Sequence, residues 1–289
     1  MRVLIAYDGS NNAAQAASLV GDIVWPRDSI LRVISAVSPI GVAPSALIGG
    51  VYPYSSEVDD QIRAYFDSAL ADVVQKLNGP NRVVESAVLY GRPASVIVDE
   101  AQAFAPDLVV VGSRGFGSIA SLVLGSVSSE VVDHAPGPVL VARQARLTRV
   151  IFATDGSATA MAAEARLAQW AIFEDLPIRV VSVADVLEPW HTGIAPTMYG
   201  LAIEAYAQDL ERAKAVHQRI VDESVARLRA AGRDATPELR YGGAAAEVVA
   251  AVGEWKADLV VVGSRGRTGL TRLFLGSVAR NLMHASPAS

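Results

Sequence analysis

Three glycines and a serine recur at one spacing in two parts of the chain. Gly112 and Gly115 are followed, after nine intervening residues, by Gly125 and Ser126, and the same pattern starts again at Gly263. Glycine lacks a Cβ, so its backbone N–H group can approach a ligand closely. Serine is a common helix N-cap, and the start of a helix attracts phosphate. The pattern therefore indicates a phosphate site built from backbone groups.

An aspartate follows the first apolar run of each half. Asp8 and Asp155 both precede the dipeptide Gly-Ser. A carboxylate accepts hydrogen bonds from hydroxyl groups and cannot pair with phosphate without a cation, so ribose is its natural partner. Asp8 has an alternative role as the N-cap of the helix predicted from Asn11. Taken together, the glycines and the carboxylates favour two nucleotide sites.

The composition excludes several other classes of site. Lysine accounts for only three of the 25 basic residues, and none follows a glycine-rich loop, which excludes a Walker-type phosphate loop. The absence of cysteine excludes disulfides and thiolate chemistry. His191 and His217 lack metal-ligand spacing, so no metal site is predicted, and His134 and His284 are expected to be structural residues at a helix end.

Charge and hydropathy limit the partners and the compartment. The net charge of −5 argues against nucleic-acid binding, which needs a basic face. No apolar run approaches the ~18 to 20 residues of a membrane span. The opening "MRVLIAYDGS" does not have the pattern of a signal peptide. We therefore expect a cytoplasmic protein with neither nucleic acid nor membrane as a partner.

Nearly the whole chain is a repeat of one unit. "RVLIAYDGS" from Arg2 returns as "RVIFATDGS" from Arg149, and "DLVVVGSRG" from Asp107 returns from Asp258. The offset between the copies drifts only from 147 to 151 residues, far longer than the period of a solenoid repeat. The sequence therefore predicts two domains, 1–146 and 147–289.

Each half alternates short β-branched runs with longer stretches of helical periodicity. The predicted strands of the first half are Val3–Tyr7, Ile30–Val37, Val83–Tyr90, Leu108–Val111 and Val139–Val141, and its predicted helices include Asn11–Val24, Glu57–Leu77 and Pro93–Phe104. Apolar runs without polar alternation indicate strands that are buried on both faces of a parallel sheet. The predicted fold class is α/β, with two tandem doubly wound domains.

The repeated glycine–serine spacing, the aspartate after the first strand and the "GRPA" turn resemble the universal stress protein family in its tandem, ATP-binding form. The resemblance covers almost all of both halves. It implies a mostly parallel five-stranded sheet of order 3-2-1-4-5, which would bring Asp8 and Gly112 together. It also implies ATP, with or without Mg²⁺, as the ligand, slow or absent hydrolysis, and domain pairing within the chain or in a homodimer.

The resemblance also implies a role for individual residues. In the first half, Asp8 and Gly112 would hold the ribose, the adenine would pack near Ala6, Tyr7 and Val37, and the phosphates would meet Arg114, Gly115, Gly125, Ser126, Val127 and Ser128. The corresponding nucleotide-binding residues of the second half are Ala153, Thr154, Asp155, Val183, Gly263, Arg265, Gly266, Gly276, Ser277 and Val278. The alternative interpretation of Arg114 and Arg265 is that they are exposed loop residues without a role in binding.

Two departures from the family pattern lie in the second half. Ala279 stands where the first half has Ser128, and the loss of a hydroxyl group predicts weaker binding at the second site. The first half continues into the strand-like "PVLVA", whereas the second stops at "MHASPAS", so its last strand is expected to be missing and its sheet edge exposed. The dissimilar stretches Ser38–Ser56 and Asp185–Gly200 are either lids, partner surfaces or ordinary loops.

Three functions fit these observations. The first is an ATP-binding stress-response protein in which nucleotide occupancy regulates an interaction with an unknown protein partner or a conformational state. The second is a slow ATPase or phosphoryl-transfer enzyme, which needs metal and basic residues that the glycine motif does not supply. The third is a scaffold of the same fold that binds no nucleotide. The intact motif favours the first.

Overall fold

The computed structural model describes residues 1–38, 56–115, 124–185, 199–266 and 275–289. These residues form two compact units, Met1–Arg146 and Leu147–Ser289. Strands and helices alternate along both units, as the sequence predicts. None of the described helices combines the length and the apolar character needed to cross a lipid bilayer.

The first unit contains a five-stranded parallel sheet. Its elements are β1 (Arg2–Ala6), α1 (Asn11–Asp22), β2 (Ser29–Val37), α2 (Ser56–Leu77), β3 (Arg82–Tyr90), α3 (Pro93–Phe104), β4 (Leu108–Gly112), α4 (Ser126–His134) and β5 (Val139–Ala142). The strand order β3-β2-β1-β4-β5 confirms the predicted order. The central strands β1 and β4 are the most buried because helices cover both faces of the sheet, and Val3, Leu4 and Ile5 have no exposed surface.

The second unit repeats this arrangement with four strands among its described residues. Its elements are β6 (Val150–Ala153), α5 (Ala158–Gln169), a 3-10 turn (Ala171–Phe173), β7 (Ile178–Ala184), α6 (Tyr199–Ala230), β8 (Ala235–Tyr241), α7 (Ala244–Trp255), β9 (Leu259–Val262) and α8 (Ser277–Ala285). The order is β8-β7-β6-β9, as predicted for a domain without its last strand. Val260 N–H donates to Ser289 O over 2.9 Å, so Ser289 takes the place that Pro138 has before β5.

The parallel pairing of β1 with β4 brings two loops to one edge of the first sheet. Val3 pairs with Leu108 and Ile5 with Val110, so the carboxyl ends of both strands point the same way. β6 and β9 are paired in the same manner, from Val150 with Leu259 onward. The chain therefore places both the aspartate loop and the glycine loop of each unit where α/β sheets bind ligands.

Candidate functional site

The carboxylate of Asp8 lies directly against Gly115. After β1, a turn with positive φ (83°) at Gly9 leads to Ser10, whose N–H group donates to Asp8 Oδ1 over 2.9 Å. A Cβ atom on Gly115 would lie only 2.5 Å from Asp8 Oδ2. Glycine at position 115 is therefore what allows the Asp8 carboxylate to occupy this position.

The Cβ position of Gly112 faces α1, and the ribose contact expected of Gly112 stays a prediction. A Cβ atom on Gly112 would lie 3.0 Å from the carbonyl carbon of Asn12 and 3.1 Å from Ala13 N. These are main-chain atoms, so a side chain here would push α1 away from the sheet. Of the two motif glycines in this loop, Gly115 and not Gly112 is the one whose missing Cβ accommodates Asp8.

The N-cap of α4 is Gly125, which corrects the prediction that Ser126 is the cap. Ser126 is the first helical residue and is exposed, and no side chain caps the helix. Gly125 N–H donates to Ser113 O over 2.9 Å, and a Cβ atom on Gly125 would lie 3.2 Å from the Cα atom of Arg114. This close approach of the two loop ends explains why position 125 is a glycine. Because glycine has no side-chain acceptor, the N-cap residue does not satisfy the first N–H groups of α4.

Ser128 packs against the end of β4. Its side chain is buried, and its hydroxyl group donates to Gly112 O over 2.7 Å. This hydrogen bond joins α4 to the end of β4, and the phosphate contact of Ser128 stays a prediction. Ala279, its counterpart in the second unit, is also buried, and weaker ligand binding there stays a prediction as well.

Ser10 and Ser157 are site residues that the sequence analysis missed. Ser10 is the N-cap of α1, with its Oγ accepting from Ala13 N over 3.2 Å, which corrects the alternative that Asp8 is the cap. The same hydroxyl lies 3.4 Å from Arg114 O and donates to it. Ser157 caps α5 and donates to Arg265 O over 3.2 Å. The serine of each "DGS" segment was the available signal.

The second unit repeats the glycine contacts of the first. Gly156 has positive φ (73°), and Ser157 N–H donates to Asp155 Oδ1 over 2.9 Å. A Cβ atom on Gly266 would lie 3.0 Å from Asp155 Oδ2. Gly276, the N-cap of α8, donates its N–H to Ser264 O over 2.7 Å. Ser277 is the first helical residue, so it is not the cap either.

We define the first site as Asp8, the loop 112–115 and the start of α4, and the second site as Asp155, the loop 263–266 and the start of α8. The structure brings these predicted residues together at the carboxyl edge of each sheet. Val127 and Val278 lie in the first helical turns, where their N–H groups belong to the unsatisfied donors of a helix start.

Strand alternation corrects one pair of residues expected near the adenine. Val37 pairs with Tyr90 and Ala184 with Tyr241, so Ala184 is the counterpart of Val37. Val183 is therefore shifted by one residue and faces the opposite side of its sheet, in the cluster that includes Ala153. The true counterpart of Val183 in the first unit is Ala36.

The residues before the two aspartates differ in chemistry. Burial, and then the charge of Asp8, raise the pKa of the Tyr7 phenol, so it remains a hydrogen-bond donor at neutral pH. Thr154 is buried, and its carbonyl accepts from Ser182 Oγ over 2.6 Å, as Tyr7 O accepts from Ser35 Oγ in the first site, so the difference lies in the side chains. Ser182 Oγ also lies 2.8 Å from His217 Nδ1. The two sites are therefore alike around the glycines and different around this position.

Some predicted features lie outside the described residues. They are the intervening segments of the two glycine motifs, 116–123 and 267–274, and most of the two stretches interpreted as lids, 39–55 and 186–198. His191 belongs to the same group. His134 and His284 are found in the last turns of α4 and α8, as predicted.

Comparison with known proteins identifies one family across both units. The model of the universal stress protein family matches residues 1–143 and 147–289. A universal stress protein of Thermus aquaticus is 33% identical over 141 residues, covering 49% of this chain and 97% of that protein. One from Mycobacterium tuberculosis H37Rv is 27% identical over 316 residues, covering 99% of this chain and 92% of that protein.

A solved structure supports the fold over the whole chain. The crystal structure of a universal stress protein from Archaeoglobus fulgidus covers 99% of this chain and 96% of its own, with a TM-score of 0.66 and 18% sequence identity. At that identity, the likeness concerns the fold.

Gly112→Ala is expected to lower the free energy of unfolding by about 1–3 kcal/mol, because the added methyl group meets main-chain atoms that cannot rotate away. Gly253→Ala is the matched control, since nothing lies within 4 Å of its new methyl group in α7. That change is expected to raise the same free energy by about 0.5–1 kcal/mol. Urea unfolding measures both, and equal effects would contradict the packing role of Gly112.

Ser128→Ala is expected to cost about 0.5–1.5 kcal/mol of stability through the lost hydrogen bond to Gly112 O. Urea unfolding measures this loss, and unchanged stability of Ser128→Ala would contradict the structural role of the hydroxyl group.

Proposed function

The chain belongs to the universal stress protein family, with a family domain in each half, and we propose that it binds ATP at the first and second sites and uses nucleotide occupancy to regulate an interaction with a protein partner. Family membership supports a role in the stress response. The geometry of the two sites supports the nucleotide.

The phosphates would bind at the start of α4 in the first site and of α8 in the second. Both helices have a glycine N-cap and no side-chain cap, so their first N–H groups remain available as donors. The positive end of each helix dipole contributes a further ~0.3 to 1 kcal/mol for a nearby anion. Mg²⁺ would enter with the nucleotide, held by its phosphates.

The ribose would bind the aspartate of each site. Asp8 Oδ1 accepts from Ser10 N–H, which fixes the orientation of the carboxylate and directs Oδ2 toward Gly115. A carboxylate oxygen has more than one lone pair, so it can accept from a ribose hydroxyl while it keeps its place. Asp155 is held in the same way by Ser157.

The adenine would lie toward the ends of β1 and β2, and of β6 and β7. Ala6 and Ala153 are the last residues of β1 and β6 and lie at that place. Tyr7 lies beside this position in the first site and Thr154 in the second. An aromatic ring offers a stacking surface that threonine lacks, so we expect the first site to bind the base more tightly.

Regulation would follow from the close contacts between the loops. The phosphates would interact with α4 while Asp8 holds the ribose, so one ligand joins segments that begin from different strands. A ligand present at a hundredfold excess over its Kd stabilises the state that binds it by about 2.7 kcal/mol. That is enough to change which conformation a partner meets.

One observation carries this proposal above the others. In both units, the aspartate carboxylate lies directly beside a motif glycine. The distance from its Oδ2 atom to the position that a Cβ on that glycine would take is 2.5 Å in the first unit and 3.0 Å in the second. This contact joins the carboxylate that is predicted to bind the ribose to the loop that is predicted to bind the phosphates. It recurs although the surrounding residues, such as Tyr7 and Thr154, have changed.

Isothermal titration with ATP and Mg²⁺ is expected to give two bound nucleotides per chain. Gly115→Glu should remove one and Gly266→Glu the other, each lowering affinity at its site by more than about tenfold, because the new carboxylate repels both the aspartate and the phosphates. Gly253→Glu, which adds the same charge to an open position on α7, should retain both.

Full binding by Gly115→Glu would place the nucleotide elsewhere, and no binding by the unmodified chain would favour the scaffold. Phosphate release measured on the same samples separates binding from hydrolysis. Turnover faster than about one per second would indicate an enzyme instead.

A further inference from the structure

The outer edge of β9, the side that faces away from β6, carries no strand among the residues that the structure describes. Its counterpart β4 in the first unit lies between β1 and β5. Within the described part of the chain, β9 pairs with β6 alone, from Val150 with Leu259 to Ala153 with Val262. The position that β5 fills beside β4 is therefore open beside β9.

The same four residues are more exposed in β9 than in β4. Both strands contain Leu-Val-Val-Val, starting at Leu108 in the first unit and at Leu259 in the second. All residues of β4 are buried, whereas in β9 only Leu259 is buried and the three valines that follow are partly exposed. Because the sequence is identical, the exposure comes from the surroundings, and β5 is the element that the described second sheet lacks. An apolar strip is thus left at the outer edge of β9.

The backbone of β9 also presents hydrogen-bonding groups at this edge. In a parallel strand, both groups of one residue point to one side and those of the next residue to the other. Val260 N–H points outward, since it donates to Ser289 O over 2.9 Å. Leu259 N–H points to the β6 side, since it donates to Arg149 O over 3.3 Å. Val262, two residues after Val260, therefore directs its N–H and C=O groups outward, where no described strand meets them. Such groups are a template for a further strand.

β5 shows which kind of segment fits this edge. Its approach to β4 starts where Val109 N–H donates to Pro138 O, and Val260 N–H with Ser289 O matches this hydrogen bond in the second unit. From there β5 runs parallel to β4 with the sequence Val-Leu-Val-Ala, and its last two residues are buried. The segment that fits beside β9 is therefore short, extended and apolar, runs parallel to β9 and starts next to Ser289.

The direction of the existing hydrogen bonds separates a partner segment from a second copy of the chain. Two copies related by a two-fold axis would place β9 against β9 in antiparallel order. Ser289 N–H donates to Asp258 O over 2.9 Å, and Val260 N–H donates to Ser289 O. One residue that bonds to two residues on either side of its neighbour is the pattern of parallel pairing. The outer edge of β9 is therefore already set for a parallel strand.

We propose that the outer edge of β9 is a docking surface for a partner protein, which adds a short apolar segment as a fifth parallel strand. Main-chain hydrogen bonds to Val260 and Val262 would supply affinity, and the apolar side chains of the segment would cover the exposed valines. β9 leads directly into the loop 263–266, so the added strand would also fix the start of this loop. The docking does not depend on nucleotide binding.

A peptide with the sequence of residues 137–143, Gly-Pro-Val-Leu-Val-Ala-Arg, is the probe for this edge. In β5, Leu140 N–H faces β4 and Val141 N–H faces away, because Pro138 O is the group that accepts from β4. Methylation of the leucine nitrogen in the peptide therefore removes a hydrogen bond that docking needs, whereas methylation of the second valine nitrogen removes none. Fluorescence anisotropy with the full chain is expected to show the first methylated peptide at least about tenfold weaker than the unmodified one, and the second within about twofold of it.

Val262→Pro tests the edge from the side of the protein. Proline lacks the N–H group and its ring blocks the outer edge, whereas Val261 still provides the hydrogen bonds to β6. This variant is expected to bind the unmodified peptide more than about tenfold more weakly, with circular dichroism as the folding control. In the unmodified chain, hydrogen exchange at Val262 N–H should become slower when the peptide is added.

Failure of the unmodified peptide to bind would overturn the proposal, as would equal affinities of the two methylated peptides. If Val262→Pro does not fold, the two methylated peptides decide the question on the unmodified chain. Sedimentation of the protein without peptide tests the other occupant. A dimer that the peptide dissociates would show that a second copy covers the outer edge of β9, and this result would also overturn the proposal.

Discussion

The sites of this protein depend on three places where two segments approach too closely for any side chain. At Gly112 the neighbour is the main chain of α1, at Gly115 it is the Asp8 carboxylate, and at Gly125 it is the main chain at Arg114. Each approach fixes one segment of the site against another. The second unit reproduces all three, which shows that the constraint belongs to the architecture and not to the surrounding side chains.

The fold could be predicted from the sequence because its strands and helices produce local patterns that recur in both halves of the chain. Strands such as β4 are buried on both faces and appear as uninterrupted apolar runs, so their number, order of appearance and limits were predictable within a residue or two. The predicted helices agree as closely. α3 spans the predicted Pro93–Phe104, and α1 ends at Asp22, two residues before the prediction, because Ile23 is already extended.

The site was predictable in its members and less so in their roles. Spacing shows that Gly112 and Gly115 share a loop, but it does not show which of them meets Asp8. Ser126 is a residue type that often caps helices, yet the N-cap of α4 is the preceding Gly125. Contacts between distant segments, such as Ser128 with Gly112, leave no local signal. Val183 was misplaced because one residue of register decides the face of a strand.

The Cβ position of Gly112 faces the main chain of α1, and this has a consequence for how a signal would travel. A side chain can absorb a small displacement by changing rotamer, whereas a peptide group cannot. A shift of the loop 112–115 toward α1 must therefore move the beginning of this helix. Ser10, the N-cap of α1, also donates its hydroxyl group to Arg114 O, so the loop and the start of this helix are joined by main-chain packing and by a hydrogen bond, and a ligand that displaced the loop would displace the start of α1 with it.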